Sequence, residues 1–117
     1  MDAADFTALV RSRHPALAAE VDEADPNPTL AAGALARLTQ RAIDDGDGAA
    51  VRACLATALA AWDEGDDRVQ NAVGLSYVRR LNLTDGRHTR AWAWAELPPR
   101  LRLVAASVGL TPPGGRT

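Results

Sequence analysis

Residues 66–83 read Asp-Asp-Arg-Val-Gln-Asn-Ala-Val-Gly-Leu-Ser-Tyr-Val-Arg-Arg-Leu-Asn-Leu. On a helical wheel the apolar positions Val69, Ala72, Val73, Leu75, Tyr77, Val78 and Leu81 leave no wide polar face. A helix of that kind is surrounded by other helices. The stretch therefore predicts a central element, with Asp66 placed to cap it.

Candidate neighbours lie on both sides in sequence. Residues 30–45 carry Ala31, Ala34, Leu35, Leu38 and Ala42 at helical spacing, with Thr29 as a plausible N-cap. Residues 49–64 repeat the pattern with Val51, Leu55, Ala58, Leu59 and Trp62. Gly46, Gly65 and Gly86 follow these two helices and the central one, and a glycine there permits the left-handed conformation that closes a helix. Connections this short turn neighbouring helices antiparallel.

The flanks supply shorter pieces. Pro15 breaks the N-terminal region into helical segments 2–13 and 15–23, with Phe6, Leu9 and Val10 on one face and Leu17 and Val21 on another. They are expected to form a lid, with His14 exposed between them. Asp25-Pro26-Asn27-Pro28-Thr29 is turn chemistry. Residues 87–97, with Trp92 and Trp94, favour a short helix, and Pro98-Pro99 opens a last one over 100–108, with Leu101, Val104, Ala105 and Val108 inward. The tail 111–117 has nothing to pack and is expected to be disordered. The expectation is all-α: an antiparallel up-down helical layer or short α-solenoid-like bundle of about six helices, forming one domain over residues 1–110.

Composition sets the remaining bounds. A chain of 117 residues, 47% hydrophobic and 24% charged, supports one modest core. The longest uncharged apolar run, residues 53–62, is too short to cross a bilayer, and the acidic N-terminus is unlike a secretory signal, so a cytoplasmic protein is expected. A lone Cys54 forms no intramolecular disulfide and no multi-cysteine zinc site; its place on an apolar stripe makes it a core residue. All 13 basic residues are Arg. Residues 1–67 hold 13 acids and 5 Arg, a balance of −8, whereas residues 68–117 hold 2 acids and 8 Arg, a balance of +6. Such a split suggests two surfaces of opposite sign, or halves that neutralise each other in one fold.

Two acidic clusters stand out: Asp44, Asp45 and Asp47 around Gly46, and Asp63, Glu64, Asp66 and Asp67 around Gly65. The first lacks the alternating ligands and terminal Glu of an EF-hand. Asp47 and Asp66 serve as caps, while Asp44, Asp45, Asp63 and Glu64 sit at helix C-termini, where the dipole opposes them. Acids that break a local rule are candidates for binding; simple solvation competes as an explanation. The clusters should lie at opposite ends of the layer, which argues against one active site. No phosphate-binding glycine loop, paired His or Ser-His-Asp order is present, so no enzyme activity, cofactor or metal is expected. The basic half offers Arg79, Arg80, Arg87, Arg90, Arg100 and Arg102 with Trp92 and Trp94, which could hold a nucleic-acid strand or simply fill gaps between helices.

At Gly65-Asp66-Asp67-Arg68-Val69-Gln70-Asn71-Ala72-Val73, continued by Ser76-Tyr77, Leu81, Trp92 and Leu97-Pro98-Pro99-Arg100-Leu101, the chain resembles a family of small uncharacterised all-helical bacterial proteins. Some members are suspected immunity proteins of polymorphic toxin systems. The resemblance implies a protein partner, a cognate toxin, and carries over no catalytic residue. Members often have an acid after the aromatic where this chain has Arg79 and Arg80. Asn71 and Ser76 are polar positions in an apolar helix, and Asn71 is expected to tie it to a neighbouring loop. The leading expectation is thus a toxin-neutralising interaction protein whose partner meets Asp44, Asp45, Asp47, Asp63, Glu64 and Asp67; the alternative is a nucleic-acid-binding accessory protein.

Overall fold

A computed structural model describes residues 1–22, 24–83 and 91–110. Among them the chain is all-α, with six α-helices and no strand: α1 (Ala3–Arg13), α2 (Pro28–Asp44), α3 (Gly48–Glu64), α4 (Asp67–Ala72), α5 (Ala91–Glu96) and α6 (Pro99–Ser107). The expected tail 111–117, and the expected helix end at Gly86, lie outside the described residues.

Aspartates start three of these helices. Asp2 caps α1 in a reciprocal box with Asp5, Asp47 accepts from the Ala50 N–H, and Asp66 accepts from the Val69 N–H at 2.9 Å. For α2 the cap is Asn27, not Thr29: its side chain accepts from the Thr29 N–H at 2.9 Å. Pro28 then takes the first helical position, where its missing N–H costs nothing.

The expected helix over 15–23 is only a 3₁₀ turn, Pro15–Leu17. The Arg11 guanidinium donates to the carbonyls of Ala18 and Val21, which draws this segment back over the end of α1. Nor is α1 a lid. Phe6 and Val10 are fully buried and belong to the main core. His14, expected at the surface, is buried as the C-cap of α1. The Thr57 hydroxyl donates to Ala53 O, so the His14 Nε2–H donates to Thr57 Oγ1, at 2.8 Å. Loss of hydration, aided by the Arg13 charge, pushes the His14 pKa down.

The central stretch is one element with three geometries. After α4 the backbone widens into a π turn, Val73–Tyr77, then tightens into a 3₁₀ turn, Val78–Arg80, before running extended through Leu81. Its inner side carries Val69, Val73, Tyr77 and Val78, all without exposure, against α2 and α3. The phenol of Tyr77 meets Thr39 Oγ1 at 2.9 Å. Thr39 spends its own proton on Leu35 O, so Tyr77 is the donor. Burial raises the Tyr77 pKa far above its usual value and keeps it protonated. Cys54 is buried in the core, as expected.

Candidate interaction face

The site grows out of the elbow between α3 and α4. Gly46 closes α2 with φ +71°, the left-handed conformation expected of it. Gly65 does not: its φ is −73° and ψ 149°. It is required for space, because a Cβ there would stand 2.3 Å from Ala61 O and 2.6 Å from Val69 Cγ1. The first residue pins the same elbow. The Met1 amino group donates to Glu64 O at 2.7 Å, and the Asp66 N–H donates to Met1 O at 2.8 Å.

Beyond the elbow, the outer side of the central element is open, contrary to the expectation of a helix surrounded on all sides. Asp67, Asn71, Leu75 and Arg79 follow one another at four-residue spacing, and all four are exposed. Leu75 is 50% exposed. A π turn accommodates more residues than an α turn and shifts the phase of those that follow. Leu75 falls on the side of Asp67 and Asn71 on a regular wheel too; the phase shift acts on the residues after it and brings Tyr77 and Val78 to the buried side with Val69 and Val73. Asn71, expected to tie the helix to a loop, makes no side-chain hydrogen bond among the described residues.

Hollows flank this ridge. One, of about 460 Å³, is lined by Trp62 of α3, by Asp67, Gln70, Asn71, Gly74 and Leu75, and by Val104, Ser107 and Val108 of the α6 end. A second, of about 300 Å³, lies between the ridge and the start of α2, lined by Asn27, Pro28, Thr29, Arg68, Asn71, Ala72, Leu75 and Ser76. A third, of about 280 Å³, shares Trp62, Val104 and Ser107 with the first and adds Arg100 and Leu103, the latter 73% exposed. Together they make one face, apolar in its middle and charged at its edges. Within the first hollow the Gln70 amide donates to Trp62 O at 2.8 Å, which leaves its Oε1 as an uncommitted acceptor.

The six acids expected to meet a partner fall in two places. Asp67 lines the first hollow, Asp63 meets the third through Arg100, and Glu64 is exposed at the end of α3. Asp44, Asp45 and Asp47 lie at the other end of α3, about 25 Å away for 17 residues at roughly 1.5 Å each. Asp63, assigned no structural task from sequence, pairs with Arg100 at 2.5 Å and ties α3 to α6. Asp44 accepts from Gln40 at 3.2 Å, Asp47 is a cap, and Asp45 is exposed. Asp67 lines the first hollow and has no ion pair among the described residues.

The basic set is scattered as well. Arg79 and Arg80 are exposed, Arg100 is paired, and Arg102 donates to Ala95 O at 3.0 Å. Arg87 and Arg90 lie outside the described residues. Trp92 and Trp94 are half-buried and pack against the core. Among the described residues no three His, Cys, Asp or Glu side chains are placed to hold a metal ion, and no helix is long and apolar enough to cross a membrane.

Sequence reasoning missed Trp62, Asn71, Leu75 and Leu103 as surface residues. For Leu103 a signal was present, since it falls outside the inward set Leu101, Val104 and Ala105. For Leu75 one was present too, since it lies four residues from both Asn71 and Arg79.

The fold and face define a small all-α protein with an open surface, lined by polar and apolar side chains together, beside an acidic elbow. By sequence the chain belongs to the family described as a domain of unknown function, DUF7674, which it matches over residues 7–107. No curated protein and no solved structure matches it.

Proposed function

We propose that this protein is a non-enzymatic interaction module of the immunity type, which neutralises a cognate bacterial toxin in the cytoplasm by holding it on the face between the central element and α6. One observation carries the proposal. Leu75 and Leu103 stand open to solvent around the half-buried Trp62, with the carboxylate of Asp67 at the edge. Apolar side chains gathered around connected hollows and rimmed by charge are the arrangement that protein interfaces use. A carboxylate on the rim would also speed encounter with a basic partner such as a nuclease toxin.

The acidic surface is narrower here than the sequence suggests, because Asp44, Asp45 and Asp47 lie away from this face. The competing assignment, to nucleic acid, draws on Arg79 and Arg80, while Arg100 and Arg102 are spent within the molecule. Co-expression with the product of the adjacent gene tests the proposal. A stable complex and relief of toxicity are expected; no complex with toxicity unchanged would overturn it.

A further inference from the structure

Resting on the assignment of this face to protein docking, we propose that the 460 Å³ hollow is an anchor pocket for one arginine side chain presented by the partner. Its wall and floor meet each part of such a side chain. Leu75, Val104 and Val108 offer aliphatic surface to the methylene stem. Trp62 provides an indole, the aromatic that best attracts a cation. Asp67 lines the same hollow with no cationic partner among the described residues.

Two amides add acceptors. The Gln70 NH₂ is held by Trp62 O, which leaves Oε1, and the Asn71 side chain is uncommitted. A planar guanidinium with several fixed N–H donors uses such a divided acceptor set; a lysine ammonium is a single charged point. Charge complementarity favours the first hollow over its neighbours. The second is lined by Arg68 and the third by Arg100, and neither of these hollows has a lining carboxylate. Asn71 lies where the first two hollows meet, so it can also bond the peptide groups on either side of the anchoring residue.

A titration of the whole isotope-labelled chain with Nα-acetyl-arginine N-methylamide, read by NMR, tests this without any toxin. Saturable shifts are expected at the Asn71 side-chain amide and at backbone amides of residues 67–75, with affinity in the millimolar range. The leucine analogue and agmatine should bind more weakly, since one lacks the cation and the other the peptide groups. Asp67→Asn should weaken the arginine probe by about threefold to tenfold, whereas Asp45→Asn at the far end should not. Both variants are surface changes whose folding circular dichroism confirms.

Absence of saturable shifts would overturn the proposal, as would an affinity unchanged in Asp67→Asn. Equal binding of agmatine would make the hollow a free-cation site and would also overturn it. A failed titration beside a stable toxin complex removes the anchor alone. A successful one without toxin neutralisation removes only the toxin.

Discussion

Gly65 and Gly74 lie nine residues apart and should respond oppositely to the same substitution. At Gly65 a methyl group meets backbone at 2.3 Å, and backbone cannot swing aside. Gly65→Ala should cost about 1–3 kcal/mol in urea unfolding. At Gly74 the added carbon would stand 3.7 Å from Val104 Cγ1 and 3.9 Å from Val108 Cγ1, ordinary contact distances. Gly74→Ala should hold or raise stability, by about 0.4–1 kcal/mol, since it removes freedom from the unfolded chain. His14 gives a pH dependence. Its pKa is lowered in the fold, so as the pH drops through 6.5 the unfolded chain takes up the proton first. Stability is then lost as the pH falls below 6.5, toward the folded value. Unfolding midpoints measured across that window should fall for the native chain and fall less for His14→Gln. The sequence showed neither Gly65's contact, which depends on the sharp elbow that brings Ala61 and Val69 together, nor the burial of His14, which depends on Thr57 from far along the chain.

At the scale of elements, what was legible was what local chemistry decides. Asp47 and Asp66 were identified as caps because a short acceptor before an apolar run has one use. The inward residues of α6 were identified from spacing alone. The second N-terminal helix failed because the Arg11 guanidinium offers Ala18 and Val21 carbonyls a better partner than continued helix. Helix α2 starts earlier than expected because Asn27 and Pro28 together make a stronger start than Thr29. The π turn is the deepest miss. Its phase shift brings Tyr77 and Val78 to the buried side, where Tyr77 meets Thr39, and no residue pattern in the chain announces it. Leu75→Glu tests this separation of scaffold from surface. Its effect on unfolding free energy should stay within about 0.5 kcal/mol, since a half-exposed side chain supports little of the fold. Tyr77→Phe, on the inner side of the same turn, removes a donor from a buried pair and should cost about 0.5–1.5 kcal/mol.

At the scale of the whole molecule, the described ion pairs leave the charge split of the sequence as it was. Among these pairs, Asp63 with Arg100 joins an acid of residues 1–67 to an arginine of residues 68–117; Glu20 with Arg37 at 3.1 Å lies within the first half, and Glu96 with Arg52 at 3.5 Å runs the opposite way. Such exposed pairs each contribute about 0.2–1 kcal/mol. The candidate face is where Leu75, Leu103 and Trp62 meet the elbow; the second acidic end lies across α3, where the half-buried Trp92 stands close to Gly48. The acids of the site were therefore half legible from sequence, and its apolar centre was not. The direct measurement is the affinity of the purified product of the adjacent gene, the proposed toxin, for three forms of the protein. If the face between the central element and α6 does the binding, Leu75→Glu should weaken it by about thirtyfold or more. The double substitution Asp44→Asn with Asp45→Asn should leave it within about threefold of the native chain. The reverse pattern, with Leu75→Glu binding normally and the distant aspartates required, would contradict the assignment of this face.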